Sequence, residues 1–190
     1  MIAENTTPNA AFNSQPKKFV TWLFVLSSLM CFAGLTSAYI VRKAEGNWKI
    51  FDLPEAFYYT TVLILLSSIT LHLSLRSAKK GEVTKQKNYL VITIILGLGF
   101  LLGQYFAWKQ LVANGIYFAG NPAESFLYVI SGFHAFHIIS GILLLLFALT
   151  GIFSKINQTK NIFRMEISTI FWHFIYILWI YLFVFLLINR

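Results

Sequence analysis

Residues 125–154, SFLYVISGFHAFHIISGILLLLFALTGIFS, contain no Asp, Glu, Lys or Arg, and their reading decides the fold. At about 1.5 Å of rise per residue, a helix over this run is long enough to cross a hydrocarbon core of about 30 Å. Its apolar positions do not alternate with period 2, so it reads as a membrane helix and not as a strand of an outer-membrane barrel. The same run carries two imidazoles, His134 and His137. Ionisable side chains at membrane depth are costly and need a reason.

Four more runs are free of charged residues: 19–41, 56–75, 88–108 and 167–189. The expected fold is an all-α integral membrane protein, a bundle of five transmembrane helices over about 19–41, 56–76, 88–110, 125–153 and 167–188. Composition agrees: 57% of the 190 residues are hydrophobic, 12% are charged, and mean hydropathy is +0.68, beyond the usage of soluble domains. Residues 1–16, rich in Asn, Thr, Ala and Pro, read as a flexible polar tail, and 17–190 as a single membrane domain. The start imitates a signal peptide. Its apolar run is longer than a signal core, so helix 1 is expected to stay in the mature chain.

The net charge of +8 would suggest nucleic acid in a soluble protein, but here loop placement explains it. Ten Lys/Arg fall on the side of the N-terminus and the 2–3 and 4–5 loops, among them Lys18, Arg76, Lys79 and Arg164. Five fall on the other side: Arg42, Lys43, Lys49, Lys109 and Arg190. By the positive-inside rule the N-terminus is cytoplasmic and the C-terminus outside, with no nucleic-acid partner.

Small residues mark candidate helix contacts: Gly34 with Ala38, Gly99 with Gly103, Gly132 and Gly141. The lone Cys31 offers no disulfide or thiol pair and reads as packing. No carboxylate lies within the runs. Glu124 and Glu166 stand at the mouths of helices 4 and 5, where headgroup or interface contact is expected, together with Trp108 and Trp172. Trp172 and Trp179 share a face and are expected to pack against a neighbouring helix.

A third histidine, His173, lies in helix 5, and His72 stands near the end of helix 2. Depth arithmetic puts His137 about 18 Å below one boundary and His173 about 10 Å from the other, so the two are expected at similar depth and able to face each other. One reading is a haem or metal held by imidazoles from two helices, as in a bis-histidine membrane cytochrome. The other is that Gln104, His134, His137 and His173, with Ser131, Ser140 and Tyr176, pin the bundle by interhelical hydrogen bonds.

Five fragments then carry a resemblance, in order and with matching spacing. They are Ser27-Ser-Leu-Met-Cys-Phe-Ala-Gly-Leu-Thr-Ser-Ala-Tyr39, Leu65-Leu-Ser-Ser-Ile-Thr-Leu-His-Leu73, Phe100-Leu-Leu-Gly-Gln-Tyr-Phe-Ala-Trp108, Gly132-Phe-His-Ala-Phe-His-Ile-Ile-Ser-Gly141 and Phe171-Trp-His-Phe174. The chain resembles subunit III of haem-copper terminal oxidases, in a short form with five helices. The resemblance implies a component of a cytochrome c oxidase of the bacterial plasma membrane, without catalytic residues, haem or copper of its own. Haem and copper would sit in partner subunits. It also implies packing on subunit I, bound phospholipid and support of stable turnover. The equivalent subunit of a quinol oxidase, and a place in a larger respiratory supercomplex, stay open. Two departures remove intramembrane carboxylates that the family commonly has: Ser28 stands for a glutamate in helix 1, and Tyr176 for an aspartate after Trp-His-Phe. Proton-uptake tuning through those positions is not expected here.

Overall fold

The computed structural model describes residues 14–50, 53–154 and 157–189, with side chains from Lys18 onward. The described residues are all-helical, and the five helices are each long and apolar enough to cross a membrane: α1 Ser14–Ala44, α2 Ala56–Lys79, α3 Val83–Ala113, α4 Pro122–Phe153 and α5 Gln158–Asn189. The polar tail expected over 1–16 lies outside the described residues up to 13, and α1 already starts at Ser14.

The helices extend past the charge-free runs because charged side chains are welcome in their end turns. Arg42 and Lys43 close α1 and Arg76 and Lys79 close α2, where the negative end of the helix dipole favours cations. Two of the ends are set by glycine. Gly81 and Gly115 both take φ +76°, a left-handed conformation that costs glycine little. Around them Glu82 N–H donates to Ser77 C=O (3.0 Å) and Gly81 N–H to Ala78 C=O (3.1 Å). Ile116 N–H donates to Leu111 C=O and Gly115 N–H to Val112 C=O in the same way (both 3.0 Å). Each is a complete Schellman motif, which satisfies carbonyls that a helix end would otherwise leave bare. The α2–α3 turn is thereby reduced to residues 80–82, and the two helices pack as an antiparallel hairpin.

Contacts run α2 to α3, α3 to α4, α4 to α5 and α5 back to α2, which closes a four-helix ring. α1 stands outside it and packs only on α4 and α5. Side chains give the reason. Trp172 of α5 points into the ring, fully buried, and donates its indole N–H to Ser67 of α2 (3.0 Å). Its ring lies in a slot left by two glycines: a Cβ added at Gly97 of α3 would come within 2.7 Å of it, and one at Gly141 of α4 within 2.9 Å. One indole thus touches all three other ring helices.

Gly103 likewise lets Thr60 approach, whereas Gly34 and Gly132 have nothing within 4 Å of a built Cβ. Close helix approach is therefore realised at Gly141 and Gly103, was not anticipated at Gly97, and within this chain does not occur at Gly34 or Gly132. Cys31, expected in packing, is exposed on α1. α1 is the least buried span and shows Trp22, Leu26 and Met30 to its surroundings.

The slot gives a test. Gly97→Ala should lower thermal stability in detergent by about 1–3 kcal/mol through overpacking, while Gly34→Ala leaves the melting temperature unchanged. Equal effects at the two positions would contradict the assigned packing.

Candidate functional site

Polar ties fasten both ends of the bundle. At the end bearing the α1–α2 and α3–α4 loops, Asn121 caps α4. Its side chain accepts from Ala123 N–H (3.0 Å), Pro122 opens the helix, and the Glu124 carboxylate reaches back to Asn121 N–H (3.2 Å). This capping box satisfies backbone donors at both ends of the turn. It also fastens the α1–α2 loop, because Asn121 donates to Asn47 C=O (2.8 Å) and Glu124 pairs with Lys49 at 2.9 Å. Glu124 is 2% exposed. It does not face headgroups as expected; a carboxylate buried this far needs its cation and its N–H donor together.

Trp172 is likewise corrected from interface or headgroup residue to ring interior. Trp179, also fully buried, donates to Thr61 (2.9 Å), and the two tryptophans pack against neighbouring helices. Trp108 is half-buried and donates to Ser131 (3.1 Å). Glu166 lies at the opposite end of the bundle, paired with Lys18 of α1 (2.6 Å) and Lys79 of α2 (3.7 Å). An amide pair absent from the sequence reading sits near it: buried Gln86 and Asn161 exchange two hydrogen bonds, of 3.3 and 3.1 Å, between α3 and α5.

The histidines separate. His137 meets Ser28 of α1 through Nε2 (3.2 Å) and bonds Phe133 C=O of its own helix through Nδ1 (2.8 Å). His173 meets Ser68 of α2 through Nδ1 (3.2 Å), and its ring neighbour is His72, centroids 6.3 Å apart. The two therefore do not face each other as depth alone suggested; each turns to a different helix. His134 lies between Trp179 (4.8 Å, near-parallel) and Phe100 (5.6 Å, edge-on), and neither of its nitrogens has a hydrogen-bond partner among the described residues. Gln104, equally buried, is unpartnered at both amide atoms. Of the four expected pins, His137 and His173 make interhelical bonds, while Gln104 and His134 do not. Ser131 receives Trp108 across the α3–α4 contact, but Ser140 bonds only its own helix.

These placements do not fit a bis-histidine haem held by His137 and His173, which turn to serines on two different helices, α1 and α2. No group of three or more His, Cys, Asp and Glu suited to a metal occurs among the described residues. An open groove of about 730 Å³ lies between α1 and α4, walled by Gly34, Ala38, Val41 and Phe126 with Arg42 at its rim, and a smaller pocket of about 240 Å³ lies beside Gln86 and Asn161.

Residues 9–189 match the family model described as cytochrome c oxidase subunit III. The chain is 34% identical over 172 residues to the probable cytochrome c oxidase subunit 3 of Mycobacterium tuberculosis, covering 86% of this chain and 82% of the relative. It is 32% identical over 173 residues to cytochrome c oxidase subunit 3 of Corynebacterium diphtheriae (86% and 83%). It is 29% identical over 170 residues to cytochrome bo(3) ubiquinol oxidase subunit 3 of Pseudomonas aeruginosa (87% and 81%).

The divided histidines give opposite expectations. His137→Phe should destabilise the protein, because it strands the Ser28 hydroxyl and loses a bond of about 0.6 kcal/mol on average in membrane bundles. His134→Phe should be neutral or stabilising, since it removes unpaired polar atoms and keeps a ring between Phe100 and Trp179. Melting curves of the two variants in one detergent decide, and a larger loss for His134→Phe would refute the assignment.

Proposed function

Because the chain belongs to the cytochrome c oxidase subunit III family, and so to a multi-subunit haem-copper oxidase, we propose that it is the oxidase's non-redox structural subunit. In this reading it packs on subunit I, binds phospholipid and keeps the complex intact during turnover in the bacterial plasma membrane, with the N-terminus cytoplasmic. The electron donor is cytochrome c and the acceptor oxygen. Haem and copper belong to partner subunits.

The observation that carries this reading is the commitment of the interior. His137 and His173 each meet a serine hydroxyl, His134 is enclosed by aromatic rings, and the carboxylates at the span mouths are paired with Lys49, Lys18 and Lys79. What remains for the chain is shape: a rigid ring, a separate α1 and the groove beside it. That groove suits a phospholipid, with an acyl chain along Gly34, Ala38 and Val41 and the phosphate near Arg42. A relative named for ubiquinol oxidase keeps the quinol-oxidase version as the second reading.

Purification in mild detergent tests the proposal. The chain should co-purify with a larger haem-bearing membrane subunit, while the isolated chain shows no stoichiometric Soret band. A bis-histidine Soret spectrum from the isolated chain, or recovery without any haem-bearing partner, overturns it.

A further inference from the structure

Most of the outward surface of the ring helices is apolar. On α3 it consists of Leu98, Leu102 and Phe106, and on α4 of Phe136, Ile139 and Leu143. A different surface lies over α5. Here α1 and α2 both pack on α5 but not on each other, so a strip of α5 stays open between them. Ile177 and Val184 on the strip are 62% and 46% exposed. At one end the strip is closed by Glu166, which joins Lys18 of α1 to Lys79 of α2.

One wall of this strip is polar. His72 is the one histidine whose side chain is exposed, its ring lies beside that of His173, and it makes no hydrogen bond with the described residues. His173 is half-buried and uses Nδ1 on Ser68, which leaves Nε2 over. The pair stands one turn inside Arg76 on α2 and two turns inside Glu166 on α5, about 6–10 Å along the helix axes. At that depth acyl chains offer neither donor nor acceptor, and an unpaired polar group there is expensive. The strip therefore needs an occupant that is apolar along Ile177 and Val184 and polar at the level of the imidazoles.

We propose that this strip, over α5 and between α1 and α2, is the docking face for a transmembrane helix of a neighbouring oxidase subunit, which hydrogen-bonds the His72–His173 pair with a polar side chain. The inference rests on the proposed role as a packing subunit and adds which face does the packing. A helix meets both requirements in one body. A lipid tail meets only the first. α3, across the ring from α5 and apolar on its outer side, is left to lipid.

Site-directed photocrosslinking in the intact complex tests this without touching either histidine. A photoreactive phenylalanine analogue replaces Ile177 in one preparation and Leu102 in another. The expected result is a protein crosslink to a larger membrane subunit from position 177, in several-fold excess over position 102, with lipid adducts dominating at 102. Lipid adducts alone at 177, or an equal or greater protein crosslink at 102, overturn the docking face while leaving the subunit role intact. Failure of the unmodified chain to co-purify with a haem-bearing partner removes the subunit role and the docking face together. As a second measurement, His72→Leu should lower the yield of the 177 crosslink several-fold and His72→Gln should restore it; unchanged yield in His72→Leu overturns the role given to the imidazoles.

Discussion

Helices in a bilayer gain little from hiding apolar surface, because lipid tails are as apolar as leucine, so a bundle must be held by close packing and a few directed bonds. In this chain both come together at one indole. Trp172 fills the space that Gly97 and Gly141 leave and gives its N–H to Ser67, so a single side chain sets the spacing of four helices. Trp179, two turns on, repeats the arrangement with Thr61, Phe57 and Phe100. The ring is consequently specified by shape in its middle and by polar ties at its rims, the Gln86–Asn161 amides at one and the Glu124–Lys49 pair at the other.

The spans were legible because absence of charge over a membrane's thickness is a linear signal, read without knowing any contact. Direction around a helix axis is not. Helix rise gives His137 and His173 a similar depth, yet adjacent residues on a helix point about 100° apart, and it is Trp172 that takes the inward direction on α5. His173 is thereby turned to Ser68. Glu124 was misread for a related reason: its position marks a helix mouth, while its burial depends on Lys49 from a distant loop. The local part of that site was written in the sequence, since Asn121-Pro-Ala-Glu124 is a capping pattern. So were the two Gly turns at 81 and 115. The slot at Gly97 was not, because only the indole opposite gives that glycine its purpose.

Ser28, which the resemblance sets against a glutamate, meets His137 across the α1–α4 contact with a hydroxyl. A hydroxyl brings no charge of its own into the membrane and asks for no counterion, so that contact serves cohesion within the chain.

The position of α1 outside the ring bears on how the protein is made. Its ties reach far along the chain: Ser28 to His137, Thr36 to Tyr181, Tyr39 to the carbonyl of Asn189. α1 is thus made before either of the helices it packs on, while α2 and α3 close as a hairpin across a turn of residues 80–82. Contacts of such long sequence separation form late, and an element waiting for them stays open to capture. During synthesis α1 is therefore the stretch that chaperones, proteases or another copy of the chain would meet unprotected, until α4 and then α5 supply its contacts.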